Sequence, residues 1–379
     1  MVALFYVIYF PYLLSFGLSN FQINFINAIF FHFVVFGLDF PTGVFGDLFG
    51  KKLASILGFF AYSAGAVMFA IGDNFWHFAL GEFLSAIGFA FISGSFLAWM
   101  IELVGEKKFA EVEGNSEFWI GLFSFVTVSL SGILSYLYWF RFVIWIEAVG
   151  ILLISILAMI LMQKDTSHHT QTKSLSNILS KSKESWKIAR SNKLSLSTAI
   201  LNSISWVGIM SMFIYWQPIF LELGLSQQYA GFLFGFFGLA MGFGSRFVSK
   251  ISIDKIKLYS LILFLTGSTV LLSALLLKIS LIGSILFFLV FEFLVGAKLV
   301  LSNTIYNMDL NEENRASVNS VYSTIEKVGS TLGLLLIGVL ADVTSRSFTW
   351  YLAAIVFAVV SILSYTMSRT NKNSKIKIS

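Results

Sequence analysis

Seven ionisable side chains lie inside long apolar runs: His32, Glu82, Glu147, Glu292, Lys298, Glu326 and Lys327. Such a group in the middle of a bilayer costs about 2.5–3.5 kcal/mol on insertion scales, so each needs a reason to be there. A carboxylate facing a cavity can take up and release a proton as its exposure changes, because desolvation disfavours its charged form. Glu82 and Glu292 both stand in "EFL", and Ser93 and Asn303 follow each of them by eleven residues. Eleven helical steps return to nearly the same face, so each helix carries one polar stripe. Two roles fit this pair: proton carriage, or pairing with Lys298 or Lys327 to hold helices together. For Glu147 and Glu326 the structural role is preferred, since buried ion pairs are often architectural. Adjacent Glu326 and Lys327 point about 100° apart and so are not each other's partners. His32 is expected to be a hydrogen-bonded packing residue.

Other chemistries lack their residues. There are no cysteines, hence no disulfide, thiolate nucleophile or cysteine metal site. The histidines (His32, His77, His168, His169) show no metal-ligand spacing, and no phosphate-binding Gly-x-x-x-x-Gly-Lys-Ser/Thr loop is present. Neither a cofactor nor an enzymatic activity is expected.

The elements that position these groups follow from composition. Hydrophobic residues make up 57% of the 379 and charged residues 12%, with a mean hydropathy of +0.84. A soluble domain carries about 25% charged residues. Apolar runs of about 20 residues recur from end to end, each long enough to cross a hydrocarbon core of roughly 30 Å. Barrel strands would alternate polar and apolar residues, so the spans are helices. The chain is an all-α polytopic membrane protein. Spans are expected at 2–18, 22–46, 52–72, 76–103, 116–137, 139–162, 195–221, 228–250, 257–277, 280–305, 316–342 and 348–368. The first is barely long enough. It lacks the basic n-region of a signal peptide, so a start codon placed too late or a truncation is expected instead.

Basic residues set the orientation. With every second loop in the cytoplasm, only Arg141, Lys278 and Arg346 fall outside, while Lys298 and Lys327 lie within spans. Both termini are therefore expected in the cytoplasm, and the net charge of +5 is a topology signal rather than a nucleic-acid patch. The expected organisation is a six-helix bundle over 1–162, a basic cytoplasmic linker over 163–194, a second bundle over 195–368 and a basic tail over 369–379. Within the linker, "NILSKSKESWKIAR" suits either a surface helix on the membrane or a flexible connection. The halves repeat: "PYLLSFGLS" (11–19) matches "PIFLELGLS" (218–226) at an offset of 207, which also sets Gly37 on Gly244 and Asp47 on Asp254. The two "EFL" segments align at 210 instead, and offset 207 sets Glu292 against Ser85, one turn from Glu82. Parallel six-helix repeats belong to carriers with a central site.

The stretch "FGLDFPTGVFGDLFGKK" (36–52) resembles the signature of the major facilitator superfamily between its second and third helices. Asp39 stands for the usual Glu, Pro41, Thr42 and Gly43 match, Gly46 replaces Ala, Asp47 and Gly50 match, and Lys51 and Lys52 keep the basic pair. "SGSFLAWMIEL" (93–103) is similar to the end of the fourth helix in drug- and sugar-transporting branches, with Glu102 where Asp is usual. "NRASVNSVYS" (314–323) is similar to the start of the eleventh. The resemblance implies twelve transmembrane helices in two pseudo-symmetric bundles, and a secondary transporter working by alternating access, often coupled to protons. It also sets Asp47 against the helix that starts near Arg315, as a latch between bundles. Two departures stand out. Glu82 replaces an arginine in "GEFLSAIG" (81–88), and "FSFVTVSLSGILS" (123–135) lacks the proline of proton-coupled drug exporters. The missing proline weighs against drug antiport but not against transport.

The expected function is proton-coupled export of a small amphipathic compound, which the abundance of Phe (42) suits. A proton-coupled importer of a sugar or other polar nutrient is the alternative. A transport-inactive sensor or partner on the same scaffold is a third, against which the retained Asp47 speaks. The expected partners are a small-molecule substrate, protons and the lipid bilayer, without nucleic acid, for a monomer in the plasma membrane.

Overall fold

The computed structural model describes residues 4–163, 175–251, 254–308 and 312–376. Within these ranges the side chains of residues 40, 47, 94, 97–98, 101, 106–118, 121, 175–182, 312–317 and 369–376 lie outside the description. Among the described residues all regular structure is helical. The helices are α1 (Tyr9–Leu14), α2 (Asn20–Phe25), a π-helical segment (Ile26–Phe33) running into α3 (Val34–Phe49), α4 (Lys51–Ile71), α5 (Phe75–Val104), α6 (Glu106–Tyr138) and α7 (Phe140–Leu161). They continue as α8 (Leu175–Ser191), α9 (Lys193–Glu222), α10 (Gln227–Ser249), α11 (Lys255–Leu276), α12 (Leu281–Asn307), α13 (Glu312–Val343) and α14 (Arg346–Ile376). Among the described residues ten stretches are long and apolar enough to span a bilayer, and Leu122–Tyr138 is a shorter apolar helix.

Expected spans and observed helices agree in order; within the expected span 2–18 the described residues form α-helix only over Tyr9–Leu14, and the other spans differ mainly at their ends. α6 begins at Glu106 rather than near residue 116, because a helix needs intrahelical hydrogen bonds throughout but an apolar face only where it meets lipid or protein. Between the expected spans 22–46 and 52–72 a single residue separates the two helices. α3 runs through Pro41 to Phe49 and stops at Gly50, whose φ of 102° favours glycine. α4 starts on the next residue.

The chain forms two compact units, one of residues 1–172 with 225–235 and one of residues 173–224 with 236–379. In the first, α4 lies along α5 through glycines spaced seven apart on each helix. A Cβ on Gly88 would come within 2.6 Å of Tyr62 N and 2.7 Å of Gly58 O, and one on Gly65 within 2.6 Å of Gly81 O. Backbones can touch this closely only where side chains are missing. In the second unit, Gly329 of α13 meets Ser203 O of α9 and Gly296 of α12 meets Met241 O of α10 in the same way. α8 belongs to the second unit: Ala189 is fully buried with Ala199, Tyr306, Val318, Val321 and Tyr322, and Ile188 packs beside it.

Candidate functional site

The glycine contact between α4 and α5 sets the depth of Glu82. It lies one residue after Gly81, on a stretch of α5 pressed against α4, and is only 7% exposed. Its carboxylate accepts one hydrogen bond, from Asn27 Nδ2 of the π-helical segment at 3.2 Å. The wider π-helical turn puts an extra residue into the helix, a feature frequent at functional sites. In the second unit Glu292 lies on α12 four residues before Gly296 and is 6% exposed. Among the described residues Glu292 makes no hydrogen bond, and neither Glu82 nor Glu292 makes an ion pair. Pairing with Lys298 or Lys327 is therefore not what holds these two acids.

The other acids are committed. Glu147 of α7 is buried and accepts the backbone N–H of Phe5. Glu326 of α13 accepts hydrogen bonds from Asn202 Nδ2 (2.9 Å), Tyr306 OH (2.5 Å) and Trp206 Nε1 (3.0 Å). Glu102, near the end of α5, forms an ion pair with Lys51 at the start of α4. Glu222 pairs with Arg346.

The eleven-residue stripes do not keep one environment. Ser93 is exposed, its hydroxyl donating to Ala90 O at 3.2 Å, while Glu82 is buried. Asn303 is exposed too, and lines a shallow open depression with Val300, Thr304, Asn307 and Met308 at the end of α12. Asn307 donates to Asn303 O (2.7 Å) and accepts from Asn319 (2.9 Å), so amide groups dominate there. Lys298 is fully buried and Lys327 exposed.

Of the motif residues, Thr42 bonds Leu38 O (2.9 Å) and Ala90 O (3.0 Å), tying α3 to α5. The bond to Leu38 O is the usual i−4 back-bond of a threonine within a helix. Gly46 lies against Ser95, whose Oγ a Cβ would meet at 2.5 Å, whereas Gly43 has open space around it. Asp39 is exposed. Lys52 donates to Met162 O at 2.6 Å, at the end of α7. The side chains of Asp47 and Arg315 lie outside the described residues. Sequence reasoning singled out neither Asn27 nor the set Asn202, Trp206, Tyr259 and Tyr306. The available signal was an amide standing alone in an apolar run.

The family model described as Major Facilitator Superfamily matches residues 1–323. A curated relative, an uncharacterized MFS-type transporter named YxaM from Bacillus subtilis (strain 168), is 26% identical over 240 residues, or 62% of this chain. The chain spans 59% of the length of that relative. Among solved structures, a bacterial homolog to the human lysosomal transporter Spinster, inward-facing and unoccupied, superposes with a TM-score of 0.79 at 13% identity, covering 97% of this chain and 93% of that one. The nucleoside transporter NupG gives 0.72 at 11% identity, with 97% and 94% covered. A POT family transporter in complex with 5-aminolevulinic acid gives 0.73 at 11%, with 97% and 93% covered. At these identities the likeness is one of fold.

Proposed function

Because the chain belongs to the Major Facilitator Superfamily, we propose that this multi-pass membrane protein exports a small amphipathic compound by alternating access, driven by proton entry. The observation that carries the reading is the pair Glu82 and Glu292. Each is a carboxylate buried in a membrane-spanning helix, one in each unit, and neither has a cationic partner among the described residues. A permanently charged carboxylate there is costly, so a group that alternates between protonated and ionised forms fits the site better than a fixed ion. Asp47 and Arg315 serve as a latch on the cytoplasmic side, and the chain acts as a monomer in the plasma membrane with both termini inside.

A second reading, import of a polar nutrient, draws on the amide-lined face of Asn303, Thr304 and Asn307. It is the face a ligand rich in hydroxyl or amide groups would use, and NupG, of like fold, is a nucleoside transporter. The test is reconstitution in proteoliposomes with a pH-sensitive dye inside, screened over amphipathic amines, nucleosides and sugars. Export by antiport predicts proton flux opposite to the flux of an amphipathic substrate. A polar substrate moving together with protons establishes the second reading instead, and substrate flux without proton flux overturns both.

A further inference from the structure

Six side chains from four helices of the second unit converge at a place to which proton coupling assigns no role. Around Glu326, Asn202 and Trp206 come from α9, Tyr259 from α11, and Lys298 and Tyr306 from α12. The carboxylate is filled by neutral donors: Asn202 Nδ2, Tyr306 OH and Trp206 Nε1. The one remaining strong acceptor, Asn202 Oδ1, takes the hydroxyl of Tyr259 at 2.9 Å. Lys298 is fully buried beside them, and its Nζ has no hydrogen-bond partner. It stands 5.3 Å from the centroid of the Trp206 ring and within electrostatic reach of Glu326.

An ammonium carries three N–H donors, and leaving all three unmade inside a protein is costly. Lys298 is thus held by charge and by an aromatic face alone. The indole works in two directions at once: its N–H binds the carboxylate, and its π-face receives the cation. An aromatic face beside a carboxylate is the recognition set for an organic ammonium ion. Trp206 and Glu326 are half-buried, whereas Lys298 is fully buried.

We propose that the Trp206–Glu326 face is a binding site for amphipathic organic ammonium compounds, occupied in this conformation by the protein's own Lys298, which the incoming cation displaces. The inference rests on the carrier reading above only for the claim that the bound amine is cargo. The lysine acts as a tethered competitor that fills the site when no substrate is present. Its weak hold, without hydrogen bonds, is what makes it displaceable.

The test is calorimetric titration of the purified full-length protein in detergent with 2-phenylethylammonium, against the neutral isostere 2-phenylethanol. Wild type is expected to bind the ammonium at least tenfold more tightly than the alcohol. Lys298→Met, which removes the competitor, is expected to bind it about tenfold more tightly than wild type. Glu326→Gln is expected to lose at least tenfold. A lysine that only braces helices, or that touches the ligand directly, predicts the opposite sign for Lys298→Met. If that variant is not monodisperse, Lys298→Gln replaces it at similar size. Ammonium binding absent from both wild type and the lysine variant, or no tighter in the variant, overturns the proposal. The titration needs no transport, so its failure is separate from a failure of proton coupling.

Discussion

Glu82 and Glu102 lie twenty residues apart on α5 and meet opposite fates. Glu102 is held by Lys51 at the edge of its unit, with side-chain exposures of 25% and 20% for the pair. Glu82 has a single amide for company in a buried setting. The Lys51–Glu102 pair lies between a surface bridge, at about 0–1 kcal/mol, and a buried one, whose breaking costs about 3–5 kcal/mol. Lys51→Met is accordingly expected to cost about 1–2 kcal/mol, read as a lower melting temperature. The swap Lys51→Glu with Glu102→Lys is expected to recover most of it. If the single variant melts like wild type, the pair is ornamental and the basic start of α4 has some other role. The partner choice was invisible in the sequence, because Lys51 and Glu102 are brought together only by the packing of α4 on α5. The acids themselves were legible, as charges in apolar runs always are.

At the scale of elements, the α4–α5 contact decides where Glu82 sits. Gly88→Leu would drive a side chain into the backbone of Tyr62 and Gly58, which cannot yield as a flexible side chain can. Overpacking of this kind costs about 1–3 kcal/mol or more. Gly150 of α7 has nothing within 4 Å of its notional Cβ, so Gly150→Ala is expected to be neutral or stabilising by up to about 1 kcal/mol, the difference in helix propensity. Thermal unfolding of both variants in one detergent checks the contrast, and equal melting temperatures would contradict the close contact. Helices were read from hydropathy because a span must be apolar for about 20 residues. Their extensions were not, since the polar start of α6 over 106–118 carries no lipid-facing signal. The expected spans end at 46 and resume at 52, yet α3 runs on through Pro41 to Phe49 and only Gly50 separates it from α4. Asn202 and Trp206 escaped notice because one amide and one indole four residues apart are ordinary in any helix. Only the arrival of Glu326 from α13 gives them meaning.

The whole molecule carries the directional claims. The cysteine-free chain makes Glu184→Cys, exposed on α8, a unique label site. A membrane-impermeant maleimide is expected to react with it only in inside-out vesicles, and labelling of intact cells would reverse the topology. For the latch, a helix start favours a nearby carboxylate by about 0.3–1 kcal/mol, and up to about 2 when partly buried. Asp47→Asn is expected to shift spin-label distances across the cytoplasmic face toward the inward-open population, about tenfold for 1.4 kcal/mol. Identical distance distributions would leave Asp47 without that role. The central claim is that Glu82 and Glu292 carry the coupling proton, and its most direct measurement compares exchange with uphill transport in proteoliposomes for Glu82→Gln and Glu292→Gln. The glutamines keep the shape and remove the titration. At least one variant is predicted to exchange substrate across the membrane at a wild-type rate, yet fail to concentrate it when a pH gradient is imposed. Uphill transport that survives in both variants would contradict the account.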